Sequence, residues 1–369
     1  MKIAFIDSND GIYAYASDSP LAVGGSERAQ WLLSCALAAA GWSVTVGVRE
    51  AMKTGAREVI NGVEFVSIGQ GQILVAWHRF LSSERPDWLY WAGADHLWGA
   101  AVEIAKLVRV RTIFSVTCDL DVQPRYAAHR RRRWWPLYAW GLARTDRIFV
   151  QHDGQLSRLP PRWRSKTHVL PKLSILPGVV GDTMAAKPHS ERENYVAWVA
   201  MLGQFKRPDV LIDIARKTPA IRYVVCGGPI INFMAPPGYG ERILNEVRML
   251  PNVEFLGQVA PEKAQQVIAN AAILLSTSDV EGFPNTFLQA WSSGTPVVSL
   301  RIDPDQLIAR MGLGAITGTP ERAITEMKAL LDSPQRRDEI SVRARHFVGE
   351  NHSETAVVTL FDRALREGC

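Results

Sequence analysis

With 369 residues, the chain is long enough for two domains that each bury a core of their own. Its 47% hydrophobic and 21% charged residues are those of a globular protein, which excludes a disordered or low-complexity chain. A net charge of +5 suits anionic ligands such as nucleotide phosphates, or an acidic membrane face, and no nucleic-acid motif accompanies it.

The N-terminus, MKIAFIDSND, has too short an apolar run for a signal peptide, and no apolar run is long enough to span a membrane. Cys35, Cys118, Cys226 and Cys369 form no CxxC or Cys/His metal spacing, and the eight histidines form no HxxxH pair. The expectation is a cytoplasmic, reduced protein with no metal and no cofactor.

In chain order, Lys2 to Asp7 reads as a buried strand. Next comes GGSERAQWLLSCALAAAG, where Trp31, Leu32, Leu33, Leu37 and Ala38 recur at helical spacing and Gly41 stops the helix. Gly24 and Gly25 either let an anion approach the first-turn amides or merely precede a helix capped by Ser26. No GxGxxG follows the first strand directly, which argues against a dinucleotide site. Further strands are expected at SVTVGV, Val63 to Ile68, Trp88 to Trp91, Thr112 to Val116 and Arg147 to Gln151, with helices in most gaps.

Asp119 and Asp121 follow the strand TIFSVT and either contact an acceptor or donor hydroxyl or belong to a helix cap or surface loop. His96 and Asp121 are the candidates for acceptor contact. The run HRRRRWW sets Arg130, Arg131, Arg132 and Arg133 beside Trp134 and Trp135. It suits peripheral contact with an anionic membrane face, or a charged helix end whose tryptophans are core.

Pro171 to Pro188 is poor in long apolar runs and marks a linker. The domains are set at 1–175 and 193–350, the linker at 176–192, and a C-terminal helix at 351–369 packs back on the first domain. The alternation restarts with strand NYVAWVAM, helix RPDVLIDIARKT and strand IRYVVCGG. A helix near Glu241 to Leu250, strand NVEFLG, helix PEKAQQVIANA and strands AILLSTS and PVVSL follow. This pattern predicts an α/β protein of two doubly wound, Rossmann-like domains facing a cleft, with ligands at the C-terminal strand ends.

Lys206 and Arg207, just before Pro208, either neutralise a departing diphosphate or form a solvated pair. Gly227 and Gly228 end another strand. The densest signal is STSDVEGFPNTFLQAW, Ser276 to Trp291. There Glu281 can accept from hydroxyls, and Gly282, Phe283, Pro284, Asn285 and Thr286 form a tight turn into a helix whose amides can hold a phosphate. Gln289 lies one turn after Asn285 and can bond a diol, while Phe287, Leu288 and Trp291 pack the helix down.

Five segments together resemble the GT-B-fold glycosyltransferases of the large retaining family 4 group: GGSERAQWLLSCALAAAGWSVTV, RTDRIFVQHDGQ, WVAMLGQFKRPDVLIDIA, NVEFLGQV and EGFPNTFLQAWSSGTPVVSL. The last stands where the general pattern has two Glu eight positions apart, here Glu281 and Gln289. The resemblance implies a nucleotide-diphosphate sugar held mainly by the C-terminal domain, a carbohydrate or lipid-linked acceptor held mainly by the N-terminal one, and no catalytic metal. It gives Glu281 to the donor sugar, residues 282–286 to sugar and diphosphate, and Lys206 to the diphosphate. Gly257 to Val259 border the base, and Gly24 and Gly25 lie near diphosphate and acceptor. Asp119 would orient the acceptor.

Three positions depart from that pattern. Gln289 replaces an acid at the ribose, Met201 an arginine, for which Arg207 is the substitute, and Cys118 a histidine. The activity implied is retaining transfer for a surface polysaccharide or glycoconjugate. A sugar-nucleotide-binding protein that has lost turnover is the alternative those departures suggest. A GT-B-fold epimerase is disfavoured by the EGFPN turn.

Overall fold

The computed structural model describes residues 1–6, 10–17, 24–123, 134–174, 188–228 and 238–366. The chain forms two compact units, Met1–Val180 joined by His352–Cys369, and Gly181–Asn351. Residues 176–187 of the expected linker lie outside the described residues, as do Asp7 and Cys369.

The first unit holds strands β1 (Lys2–Ile6), β2 (Ser43–Val48), β3 (Arg57–Ile60), β4 (Val63–Ser67), β5 (Trp88–Ala92), β6 (Arg111–Ser115), β7 (Arg147–Val150) and β8 (Thr167–Val169). They lie in the order β3-β4-β2-β1-β5-β6-β7-β8. All pairings are parallel except β3 with β4. Asn61 and Gly62 turn that hairpin with φ of 49° and 79°, the left-handed pair that a two-residue turn needs.

Alternate residues of β1 feed opposite cores. Ile3 and Phe5 pack with Trp31, Leu37 and Phe65, whereas Ala4 and Ile6 pack with Trp77, Trp91 and Trp98. The first core also takes the Glu354–Arg366 helix, whose Phe361 stacks on Phe149 with ring centroids 5.1 Å apart. The Gly25–Ala39 helix stops because Gly41, at φ 84°, turns the chain out of it.

The second unit is all parallel: β9 (Tyr195–Val199), β10 (Arg222–Cys226), β11 (Val253–Gly257), β12 (Ile273–Ser276), β13 (Val297–Ser299) and β14 (Gly314–Ile316), ordered β11-β10-β9-β12-β13-β14. Chain order runs outward in both directions from the β9/β12 boundary, which makes it the topological switch point where such sheets bind ligands. Strand β9 divides like β1, Val196 and Trp198 to one core and Tyr195 and Ala197 to the other. The Asn285–Ser292 helix buries Phe287, Leu288 and Trp291 completely, and each contributes roughly 1.5–3 kcal/mol of apolar burial.

Candidate functional site

Beyond β9 the chain makes a short 3-10 turn, Gln204–Lys206, and enters the Pro208–Lys217 helix with Pro208 in its first turn. Three bonds hold this segment against the chain leaving β12. Thr277 donates its hydroxyl to the Lys206 carbonyl at 2.6 Å and accepts from Trp198 Nε1 at 3.0 Å, and the Asp279 amide donates to the Phe205 carbonyl at 2.8 Å. Lys206 and Glu281, 75 residues apart, are thereby joined as a partly buried ion pair at the switch point.

Arg207 is the neighbouring cation, and the structure commits it elsewhere. Its backbone is left-handed, at φ 52°, and its guanidinium forks onto Asp209 with Nε at 3.0 and 3.1 Å and Nη2 at 2.9 Å. Nη1 donates to Asp279 at 3.0 Å. Hydrogen bonds to Asp209 and then Asp279 push its pKa further up, so Arg207 is a permanently charged brace between the two loops.

After Glu281 the chain buries Gly282, Phe283 and Pro284, and Pro284 is the residue before the Asn285–Ser292 helix. Asn285 and Thr286 thus stand in a first turn, where the helix dipole favours an anion. Gln289 is only 7% exposed, yet its side-chain amide bonds to none of the described residues; its own carbonyl accepts from Gln265 at 3.1 Å and Ser293 at 3.0 Å. A nearly buried amide with open donors and an open acceptor is suited to a ligand.

Gly227 and Gly228 sit at the end of β10, and Val259 is half-buried beyond β11. A Cβ on Gly227, at φ 150°, would lie 1.8 Å from the Ala200 carbonyl, so this strand end accepts only glycine. Leu202 beside it is pinned by its amide to the Gly228 carbonyl at 2.8 Å.

In the first unit, Gly24 precedes the helix that begins at exposed Gly25. Asp119 accepts from His152 Nε2 at 3.2 Å, Gln155 Nε2 at 3.1 Å and Arg158 Nη1. Burial opposes its charge, but those donors, His152 first, hold its carboxyl below the usual range. Asp121 is buried and caps its own loop, taking the amides of Thr117 at 2.7 Å and Cys118 at 3.0 Å. Both carboxylates are bound by protein groups, Asp121 by the amides of its own loop and Asp119 by side chains of residues 152–158.

Burial, then the Asp121 charge, push the Cys118 thiol up to about 12, which leaves it a neutral donor to Asp121 and no nucleophile. His96 pairs with Asp95 at 3.0 Å and lies 6.5 Å from Trp134. Trp134 is 44% exposed and Trp135 half-buried at the start of a helix; Arg130 to Arg133 lie outside the described residues. Among the described residues no helix is long and apolar enough to cross a membrane.

Sequence reasoning missed Asp10, Asp279 and Arg301. Asp10 takes the amides of Arg49, Glu50 and Ala51 at 2.5–2.8 Å and fastens the loop after β1 to the end of β2. Asp279 receives Arg207 at 3.0 Å and Arg301 at 3.4 Å. Its place just after a buried strand was its one sequence signal.

Residues 193–333 match the family model Glycosyl transferases group 1, a span that includes the switch-point residues. The D-inositol 3-phosphate glycosyltransferase of Mycobacterium tuberculosis is 28% identical over 201 residues, 51% of this chain and 41% of the relative, so the chain aligns with less than half the length of the curated relatives it matches. In fold, the chain is similar to HepE of Anabaena, solved with UDP and glucose (TM-score 0.72, 15% identity, 99% of each chain). It is also similar to sucrose-phosphate synthase of Thermosynechococcus elongatus (TM-score 0.76, 15% identity, 100% of this chain and 98% of that one). The expected GT-B fold, with two parallel-dominated sheets, is therefore observed.

Proposed function

We propose, from the match of residues 193–333 to the family model Glycosyl transferases group 1, that the protein moves a sugar from a nucleotide-diphosphate donor to a hydroxyl acceptor with retention, for a surface polysaccharide or glycoconjugate. The observation that carries the reading is the pairing of Lys206 with Glu281 at the β9/β12 switch point, beside the N-terminal turn of the Asn285–Ser292 helix.

In the proposed reaction the acceptor hydroxyl attacks on the face the diphosphate leaves. The C–O bond to the donor phosphate breaks as the bond to the acceptor oxygen forms. The departing phosphate takes the acceptor's proton, so no protein nucleophile, metal or cofactor is required. Glu281 exchanges Lys206 for hydroxyls of the donor sugar, and the freed ammonium meets the diphosphate as its charge grows. The first-turn amides at Asn285 and Thr286 face the same anion.

The test has two parts. A thermal-shift series over UDP, GDP, ADP and TDP, begun with UDP because HepE was solved with it, should raise the melting temperature for at least one of them. An assay of nucleoside diphosphate release with mixed sugars and acceptors should then show turnover. Binding without release would instead support a sugar-nucleotide-binding protein, and no binding at all would sink the reading.

Gln289 supplies a second check. Its uncommitted amide, 7% exposed, is assigned to the ribose diol. Gln289→Glu should preserve affinity for that nucleotide, whereas Gln289→Ala should weaken it by roughly tenfold, the worth of one or two hydrogen bonds. Equal affinity of wild type and Gln289→Ala in calorimetry would take Gln289 out of the site.

A further inference from the structure

The switch point contains a cation that the proposed mechanism leaves unused. Lys206, Arg207 and Arg301 are balanced there by Asp209, Asp279 and Glu281, through the Lys206–Glu281, Arg207–Asp209, Arg207–Asp279 and Arg301–Asp279 pairs. With these pairs intact the site offers no net positive charge, whereas a diphosphate brings several negative ones. Binding therefore needs a cation that can leave its carboxylate at low cost.

Arg207 cannot be that cation. It has four contacts to two carboxylates, including a fork, and turning it away would strand both acids. Arg301 is held far more loosely. Its approach to Asp279 is Nε–Oδ1 at 3.4 Å, its side chain is 63% exposed, and neither terminal nitrogen makes a hydrogen bond to a described residue. Such an exposed pair is worth little and is readily exchanged.

The backbone that carries Arg301 is fixed. Ser299 of β13 pairs in register with Ser276 of β12, and the Leu300 amide donates to the Ser276 carbonyl at 3.0 Å. The Gly318 amide closes on the Leu300 carbonyl at 2.8 Å, and the Ile302 amide on Ser299 Oγ at 3.1 Å. Arg301 thus leaves its strand at the same sheet end as the Asp279–Glu281 loop, on a rigid root with a movable head.

We propose that Arg301 is a second phosphate-binding cation of the donor site, which leaves Asp279 and places its two terminal nitrogens on the diphosphate. The assignment rests on the proposed donor site and adds to it a residue that discriminates diphosphate from monophosphate. Asp279 keeps Arg207 throughout, so the loop brace survives the exchange.

Wild type, Arg301→Gln and Arg301→Lys should be titrated calorimetrically with whichever of UDP, GDP, ADP and TDP binds, and with the matching nucleoside monophosphate. Arg301→Gln is expected to weaken the diphosphate roughly tenfold, as for one lost charged hydrogen-bond pair, and to leave the monophosphate unchanged. Arg301→Lys should recover part of the loss, and the salt dependence of diphosphate affinity should flatten in Arg301→Gln. Equal diphosphate affinity in wild type and Arg301→Gln, with unaltered melting temperatures, would overturn the proposal alone. Wild type binding none of the four nucleotides would overturn the donor site itself and the proposal with it.

Discussion

Lys206→Ala is expected to lower kcat for sugar transfer by about 10²–10³-fold, the usual cost of one group aimed at charge that develops in the transition state. The Lys206 side chain is 29% exposed and its ammonium pairs with Glu281, so it is neither sealed in the core nor free in solvent. In the resting protein that partner is a carboxylate; during transfer it becomes the departing diphosphate, whose charge peaks as the sugar leaves. An interaction stronger in the transition state than in the ground state appears in kcat more than in KM. Lys206→Arg keeps the charge but not the length, and should recover part of the rate.

Glu281→Ala should fall by a similar factor for a different reason, because the sugar loses its acceptor and Lys206 loses the partner that positions it. The two losses then overlap, so Lys206→Ala/Glu281→Ala should cost less than the two single effects combined. Single-turnover rates of the three variants, with melting curves to confirm folding, provide the measurement. Near-normal turnover in both single variants would remove the site assignment.

Lys206 and Glu281 were each legible in the sequence as candidates, though their pairing was not, because both sit on strong local signals. Each follows a buried strand and precedes a helix opened by a proline or a tight turn, and a parallel sheet brings such loops to one end. The packing of Phe287, Leu288 and Trp291 was legible for the same reason, since their spacing puts one face of a short helix on the core. What local pattern does not record is which partner a polar group takes. Asp119 and Asp121 look alike as acids after a strand, yet one is held by His152, Gln155 and Arg158 and the other by its own loop's amides. Arg207 looked like an available cation until Asp279, 72 residues on, was seen to hold it. Hairpin β3–β4 is a different case. Its Asn61-Gly62 turn is a strong local signal, but the Arg57–Ile60 strand it pairs is exposed, so no apolar run announced it.

Stability below neutral pH should be set in large part by two buried histidines, one in each unit. His189 is 1% exposed; its Nε2–H donates to the Gly294 carbonyl at 2.9 Å, and its backbone amide to Asp338 at 3.0 Å. His352 is 3% exposed and donates Nδ1–H to the Lys172 carbonyl at 2.7 Å. Burial lowers each from 6.5 to about 4, helped at His189 by the Arg192 charge and at His352 by that of Lys172. Asp338 beside His189 pulls the other way without overcoming burial.

Both folded-state values lie below the unfolded one, so the unfolded chain takes up the proton first as pH falls. Stability from these groups is complete above about pH 6.5, drains away as pH falls, and is gone near pH 4, where the folded forms protonate as well. The loss approaches about 3 kcal/mol for each histidine. His189→Gln keeps a donor near the Nε2 position and His352→Asn keeps one near Nδ1, and neither side chain titrates. Melting temperatures between pH 7.5 and pH 4 should therefore fall less steeply in each variant than in wild type, and least steeply in the double variant. If the two units melt as separate transitions, His189→Gln should flatten only that of Gly181–Asn351 and His352→Asn only the other. A wild-type profile parallel to that of the double variant would show that neither imidazole is held neutral by burial.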